Sequence, residues 1–169
     1  MIPTLTTPRL TLGPFSQGHF AAFAAFCETD RSCFLGGPST DPRDAWDSCM
    51  IHLGHWSARG YGGFFATHTE TGAPLGRFSI WHPITLDEPE LSWVVYADFE
   101  GQGYAREGAE AVRDWAYRSA GLGPLMSLIA AENTRSIALA QSMGATLEGT
   151  HEYRPGDVVE RYRHPGDAT

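Results

Sequence analysis

The stretch Glu90–Gly108, ELSWVVYADFEGQGYAREG, carries the reading on which the fold rests. ELSWVVY (Glu90–Tyr96) is rich in branched and aromatic residues, which favour a pleated strand. A polar loop follows, then Gly101 and Gly103, then a helix over 103–119. In that helix Ala105, Ala109, Val112 and Ala116 repeat at a strict 4-3-4 spacing, so they share one face. A glycine turn that opens a helix presents unpaired backbone N–H groups and the positive end of the helix dipole, an arrangement suited to anions. A dinucleotide fingerprint, GxGxxG, does not fit: counted from Gly101, the third glycine position holds Arg106, and no succession of alternating strands with a suitable acidic residue follows. Two readings stay open, an ordinary strand-to-helix turn and a cradle for a pyrophosphate.

Reading outward in both directions gives alternating elements. RLTLGP predicts a short strand near 8–13, ended by proline. Ser16 is placed to cap a helix with Phe20, Phe23 and Phe26 on one face, and Asp41–Arg59 predicts a second helix with a Trp46, Met50, Leu53, Trp56 stripe, stopping at Gly60. Residues 61–83 predict two aromatic-rich strands around a TETGAP turn. After the glycine-led helix, which Gly121 and Pro124 end, LMSLIAA predicts a strand. Asn133 caps a helix to Met143 with Gly144 as its stop, and strands near 146–153 and 157–163 finish the chain. The class is α/β with a mixed sheet.

Composition removes several functions. The chain has 169 residues, which predicts one domain over 1–169 with a core that needs no staple. All 12 basic residues are arginine; without lysine there is no P-loop, no kinase strand lysine and no Schiff base for pyridoxal phosphate. A formal net charge of -8 with no basic cluster argues against nucleic acid. The longest apolar run, Phe20–Cys27, falls well short of the ~18 residues of a membrane span. The N-terminus carries no secretory pattern, and three cysteines without a CxxC pair fit a reducing cytoplasm. Cys49, His52 and His55 fall at i, i+3 and i+6 of the second helix. That spacing departs from the i, i+4 histidines of catalytic zinc, so no metal centre is expected there.

Glu100-Gly101-Gln102-Gly103-Tyr104-Ala105 resembles motif A of the GNAT N-acetyltransferases, Q/R-x-x-G-x-G/A. TPRLTLGPF, GRFSIWHP, the ELSW strand, AENTRSIALAQSMGATLEGT and the closing YRHP extend the likeness to nearly the whole chain, and they resemble the ribosomal-protein N-terminal (RimJ/RimL-like) branch. The resemblance implies a mixed, mostly antiparallel seven-stranded sheet flanked by about four helices, acetyl-CoA as co-substrate, and transfer of its acetyl group to a primary amine on a peptide or small molecule. The sequence does not decide between a monomer and a homodimer. One departure is Glu100, whose carboxylate should turn away from a pyrophosphate and leave only its backbone to matter.

The same resemblance implies roles for particular residues. Trp93, Val94 and Val95 would grip the pantetheine arm where two strands splay, with their amides polarising the thioester carbonyl. Gly101, Gln102, Gly103, Tyr104, Ala105 and Arg106 would surround the pyrophosphate, and Asn133 would bond the arm. Glu90 is the candidate general base, on a strand where burial would raise its pKa; its alternative is a solvent-facing member of the Asp87, Glu88, Glu90 cluster. Many relatives carry a tyrosine acid seven residues after the asparagine, a position held here by Ala140. Ser136 is the remaining polar group on that turn, either bonding the departing thiolate or capping the helix, and Tyr104 is a further candidate acid. The missing tyrosine leaves a non-catalytic acyl-CoA-binding module as the alternative reading.

Overall fold

The computed structural model describes residues 1–166. Two strands, β1 (Leu5–Thr6) and β2 (Leu10–Gly13), lead into helix α1 (Gln17–Cys27), a 3-10 turn (Asp30–Leu35) and helix α2 (Pro42–Arg59). Strands β3 (Gly63–His68), β4 (Pro74–Trp81) and β5 (Glu90–Val95) follow, then a 3-10 turn (Ala97–Phe99), helix α3 (Tyr104–Arg118), β6 (Met126–Ile129), helix α4 (Thr134–Ser142), β7 (Thr146–Arg154) and β8 (Asp157–Arg163). They build one sheet in the order β1-β2-β3-β4-β5-β6-β8-β7. Every pairing is antiparallel except β5 with β6, and that parallel contact is a single register pair, Glu90 opposite Met126. The mixed, mostly antiparallel sheet and the four α-helices agree with expectation. The sheet has eight strands rather than seven. The added strand, β1, has only two residues and leaves no period to read.

Strand alternation gives the sheet two faces. Leu10, Leu12, Phe64, Ala66, Phe78, Ile80 and Leu91 pack on one face against Ala109, Val112 and Ala116 of α3, the helical stripe that the sequence displays. Phe65, Val94 and Tyr96 pack on the other against Phe23 and Phe26 of α1 and Ala45 and Cys49 of α2. The α2 stripe is corrected by a quarter turn. Trp46 and Leu53 are exposed, while Ala45, Cys49, His52, His55 and Trp56 are buried. Two histidines occupy core positions because their polar atoms have partners: His55 bonds the Tyr61 carbonyl at 2.8 Å and accepts from the His82 N–H at 3.1 Å, while His52 lies 3.4 Å from Ser79 Oγ.

Helix α3 is fixed to the sheet end by one carboxylate. Glu107 accepts from Thr7 Oγ1 at 2.6 Å, the Arg9 backbone N–H at 3.0 Å and Arg9 Nε at 2.7 Å. The next residue, Gly108, allows α3 to approach β4: a Cβ there would sit 2.3 Å from the Phe78 ring, which is fully buried and has nowhere to move. Gly108→Ala therefore overpacks the interface at a loss of ~1–3 kcal/mol, more than the ~1 kcal/mol that alanine returns to a helix. Urea unfolding of this variant is expected to show a net loss of stability, and a gain would mean that the α3–β4 contact is looser than this geometry.

Candidate active site

The site begins where the sheet stops pairing. Tyr96 donates its N–H to the Leu75 carbonyl at 2.9 Å. In the β4–β5 register, which sets Arg77 opposite Val94 and Ser79 opposite Ser92, Glu90, Ser92 and Val94 therefore turn their backbone groups toward β4. Leu91, Trp93 and Val95 turn theirs toward β6. Since β6 pairs only at Glu90, no strand covers the N–H groups of Trp93 and Val95, and they line an open slot. Of the three residues expected to present backbone groups, Trp93 and Val95 do so. Val94 does not, because its backbone is used by β4 and its side chain is buried on the α1/α2 face.

At the C-terminal end of β5 the slot meets the glycine turn. Gly101 and Gly103 adopt φ of 69° and 83°, a region that favours glycine. Gly103 is the N-cap of α3 and no side chain caps that end, so the N–H groups of Tyr104, Ala105 and Arg106 lack intrahelical acceptors. Arg9 Nη1 braces the turn by bonding the Gln102 carbonyl at 2.9 Å, and Gln102 Nε2 bonds the Asp98 carbonyl at 3.0 Å. The Tyr104 side chain is not free for acid chemistry: it is buried between the Arg9 guanidinium, 4.2 Å from its ring centre, and the rings of His68 and Phe99. Arg106 pairs with Glu110 at 2.8 Å on the exposed side of the helix. The Glu100 carboxylate does not face the turn alone. It is held between Arg31, from the turn after α1, and Arg135 of α4, the latter at 2.8 Å.

Glu90 closes the other end. About 17 Å of strand separate it from Val95 at ~3.3 Å per residue. Its neighbours in sequence separate from it in space: Asp87 and Glu88 pair with Arg161 and Arg163 of β8, while Glu90 is 6% exposed, so the solvent-facing alternative is ruled out. Burial pushes its carboxyl up to about 7, against the Leu128 N–H at 3.2 Å and the Tyr153 hydroxyl, which favour the ionised form. Across the slot, Asn133 Oδ1 accepts from the Ser136 N–H at 3.3 Å as the N-cap of α4, and Trp93 Nε1 donates to Ser136 Oγ at 3.3 Å. An indole N–H only donates, so Ser136 keeps its own hydroxyl proton for another acceptor. Ala140, at the position where many relatives carry a tyrosine, is fully buried with Ile129, Ala145 and Tyr162. Among the described residues no group of three or more His, Cys, Asp or Glu side chains is placed to hold a metal ion.

The sequence profile of the acetyltransferase (GNAT) domain matches residues 9–146. The chain belongs to this family. This GNAT acetyltransferase is 38% identical to an acetyltransferase from Agrobacterium tumefaciens str. C58, over 97% of this chain and 96% of that one, with a TM-score of 0.87. Two more distant structures share its fold. RimL, a ribosomal L7/L12 alpha-N-protein acetyltransferase solved in complex with coenzyme A, is 20% identical with a TM-score of 0.80, over 99% of this chain and 100% of that one. The ribosomal-protein-S5-alanine acetyltransferase of Vibrio fischeri is 13% identical with a TM-score of 0.74, over 98% of both chains.

Four polar residues at the GNAT site escape a sequence reading: Ser127, Tyr153, Arg31 and Arg135. Ser127, Tyr153 and Arg31 match no local motif, and Arg135, although inside the ENTRS stretch, shows nothing there of its partner Glu100. The charge on Glu90 gives a measurable consequence. A carboxyl raised from 4.5 to about 7 by folding keeps its proton in the native state while the unfolded chain has lost it. Stability is therefore full below pH 4.5 and falls as pH rises through 7, by about 3 kcal/mol. Urea unfolding between pH 5 and 8 should show this decline, and Glu90→Gln should remove it; an unchanged slope in the variant would assign the decline to another group.

Proposed function

We propose that this acetyltransferase moves the acetyl group of acetyl-CoA to a primary amine, of a protein N-terminus or a small molecule, by direct attack in a ternary complex. The observation that carries the proposal is the open edge of β5, with an anion cradle at one end and a buried carboxylate at the other. The residues suit the co-substrate. The free N–H groups at the start of α3 would take the pyrophosphate, with the Gly101 and Gly103 backbone allowing close approach. The Val95 N–H, nearer the cradle, would take the amide-bearing arm as an added strand does, leaving the Trp93 N–H for the thioester.

Acetyl-CoA supplies an activated acyl group and a thiolate leaving group. The chain supplies proton handling and charge stabilisation. Glu90 projects on the α1/α2 side of the sheet and Ser136 lies on the side of α3 and α4, so acid and base flank the slot from opposite faces. Ionised Glu90 accepts a proton from the acceptor amine, a role that its pKa of about 7 suits. The Trp93 N–H, nearer Glu90 and Ser136, donates to the carbonyl oxygen as it gains charge. Ser136, its oxygen already occupied by Trp93, donates its hydroxyl hydrogen toward the departing sulfur. The three cysteines are unpaired and no described helix is long and apolar enough to cross a membrane; we place the reaction in the cytoplasm.

Calorimetric titration tests the co-substrate first: acetyl-CoA should bind at micromolar concentration, with NAD and ATP showing no heat. Binding of NAD or ATP in its place would overturn the cradle assignment. Acetyl transfer to amines should then rise with pH through a limb near 7, as Glu90 ionises. Glu90→Gln should lower kcat by ~10²–10⁴ and erase that limb, with acetyl-CoA affinity retained. Ser136→Ala should lose roughly fivefold, about one neutral hydrogen bond. A Glu90→Gln enzyme with full kcat would remove the carboxylate from the mechanism.

A further inference from the structure

Continued by one more bond, the parallel ladder of β5 and β6 would run from the Leu128 N–H to the Leu91 carbonyl. Neither group makes that bond. The Leu91 carbonyl accepts from Ser127 Oγ at 2.6 Å, and the Leu128 N–H donates to Glu90 Oε1 at 3.2 Å. Each half of the missing bond is thus taken by a side chain from the neighbouring position, and the ladder stops without leaving a buried backbone group unpaired.

Ser127 is itself held. Its one hydroxyl proton goes to the Leu91 carbonyl, so its oxygen accepts from His164 Nε2 at 2.9 Å. Both residues are 1% exposed. His164 is anchored by its backbone N–H on the Leu125 carbonyl at 2.9 Å, and its ring stands edge-on to Trp93 with 6.4 Å between centres. With Nε2 carrying the proton, Nδ1 is bare and buried without a partner. Burial, with Arg113 and Arg163 nearby, holds the imidazole down to about 4, so this neutral form persists through the working pH range. Nothing else in the proposed reaction calls on either residue.

We infer that Ser127 and His164 are positioning residues that end the β5–β6 ladder after Glu90 and so keep open the slot lined by Trp93 and Val95. The inference rests on the acetyl-transfer reading only for what the slot receives. Without the hydroxyl, the nearest donor for the Leu91 carbonyl is the Leu128 N–H. Pairing would advance by one bond, bring the Leu128 carbonyl to the Trp93 N–H and narrow the slot.

Amide hydrogen exchange of the protein without co-substrate reads this directly. In Ser127→Ala the Trp93 amide should exchange at least ~10-fold more slowly than in the parent, whereas simple destabilisation would make exchange faster. Acetyl-CoA should bind ~10-fold more weakly, and Ser127→Thr, which keeps the hydroxyl, should restore both. Unchanged or faster exchange at Trp93 in folded Ser127→Ala would overturn the inference. Should that variant not fold, His164→Leu, which removes the donor to Ser127 and leaves an apolar side chain beside Trp93, should slow Trp93 exchange ~3-fold; no slowing would overturn it equally. A parent protein that binds no acetyl-CoA would sink the acetyl-transfer reading while leaving the exchange comparison to decide the role of Ser127.

Discussion

One register pair, Glu90 opposite Met126, joins the two halves of this sheet. On one side lie five antiparallel strands and on the other three. A longer parallel ladder would bind the halves more firmly but would consume the backbone groups that the reaction needs. A shorter one would leave them tied by side chains alone. The structure reinforces the joint from outside: Glu88, just before β5, is gripped by Arg161 at 3.0 Å and by Arg163 at 2.6 Å from β8. A minimal ladder with an ionic tether beside it keeps the halves in register and leaves the slot clear.

Buried ionisable groups are more numerous here than the reaction requires, and most are silenced. Arg77 is buried with no carboxylate partner among the described residues, donating to Ser48 Oγ at 3.1 Å and lying 5.0 Å from the Phe23 ring centre. Burial lowers its pKa, yet an arginine keeps its charge in such surroundings. That fixed charge helps burial to keep His52 neutral. The Cys49 thiol, although Arg77 favours its ionised form, is pushed by burial up to about 12. Among the described residues, Glu90 alone combines burial, access to the slot and a proton affinity near neutrality. Its chemistry follows from place more than from residue type, since Asp87 and Glu88 carry the same group and serve only as ion-pair partners.

Much of this was legible in the chain because it is local. The β5–turn–α3 unit shows in a strand composition, two glycines and a 4-3-4 stripe, each confined to a few residues. The cap at Asn133 and the stop at Gly144 are similarly local. Where partners lie far apart the sequence is silent. Hydropathy places Trp46 and Leu53 inside, yet Ser79, the Tyr61 carbonyl and the His82 N–H draw the α2 histidines into the core instead. Glu100 reads as an obstacle to phosphate until Arg31 and Arg135 are seen on either side of it. Val94 looks equivalent to its neighbours because strand register, unlike strand existence, is not written in one strand.

The two ends of the sheet carry a consequence for the protein in a crowded solution. An open sheet normally offers unpaired backbone at both borders, a template on which further copies add and aggregation begins. Here one border is β1, too short to seed a neighbour. The other is β7, nine residues long, whose register with β8 is broken between Leu147 and Gly149 and again between Glu152 and Arg154. Such irregularities twist a border strand out of the plane that a flat partner would need. The irregular hairpin that brings Tyr153 to Glu90 thereby also makes that border a poor template for further copies.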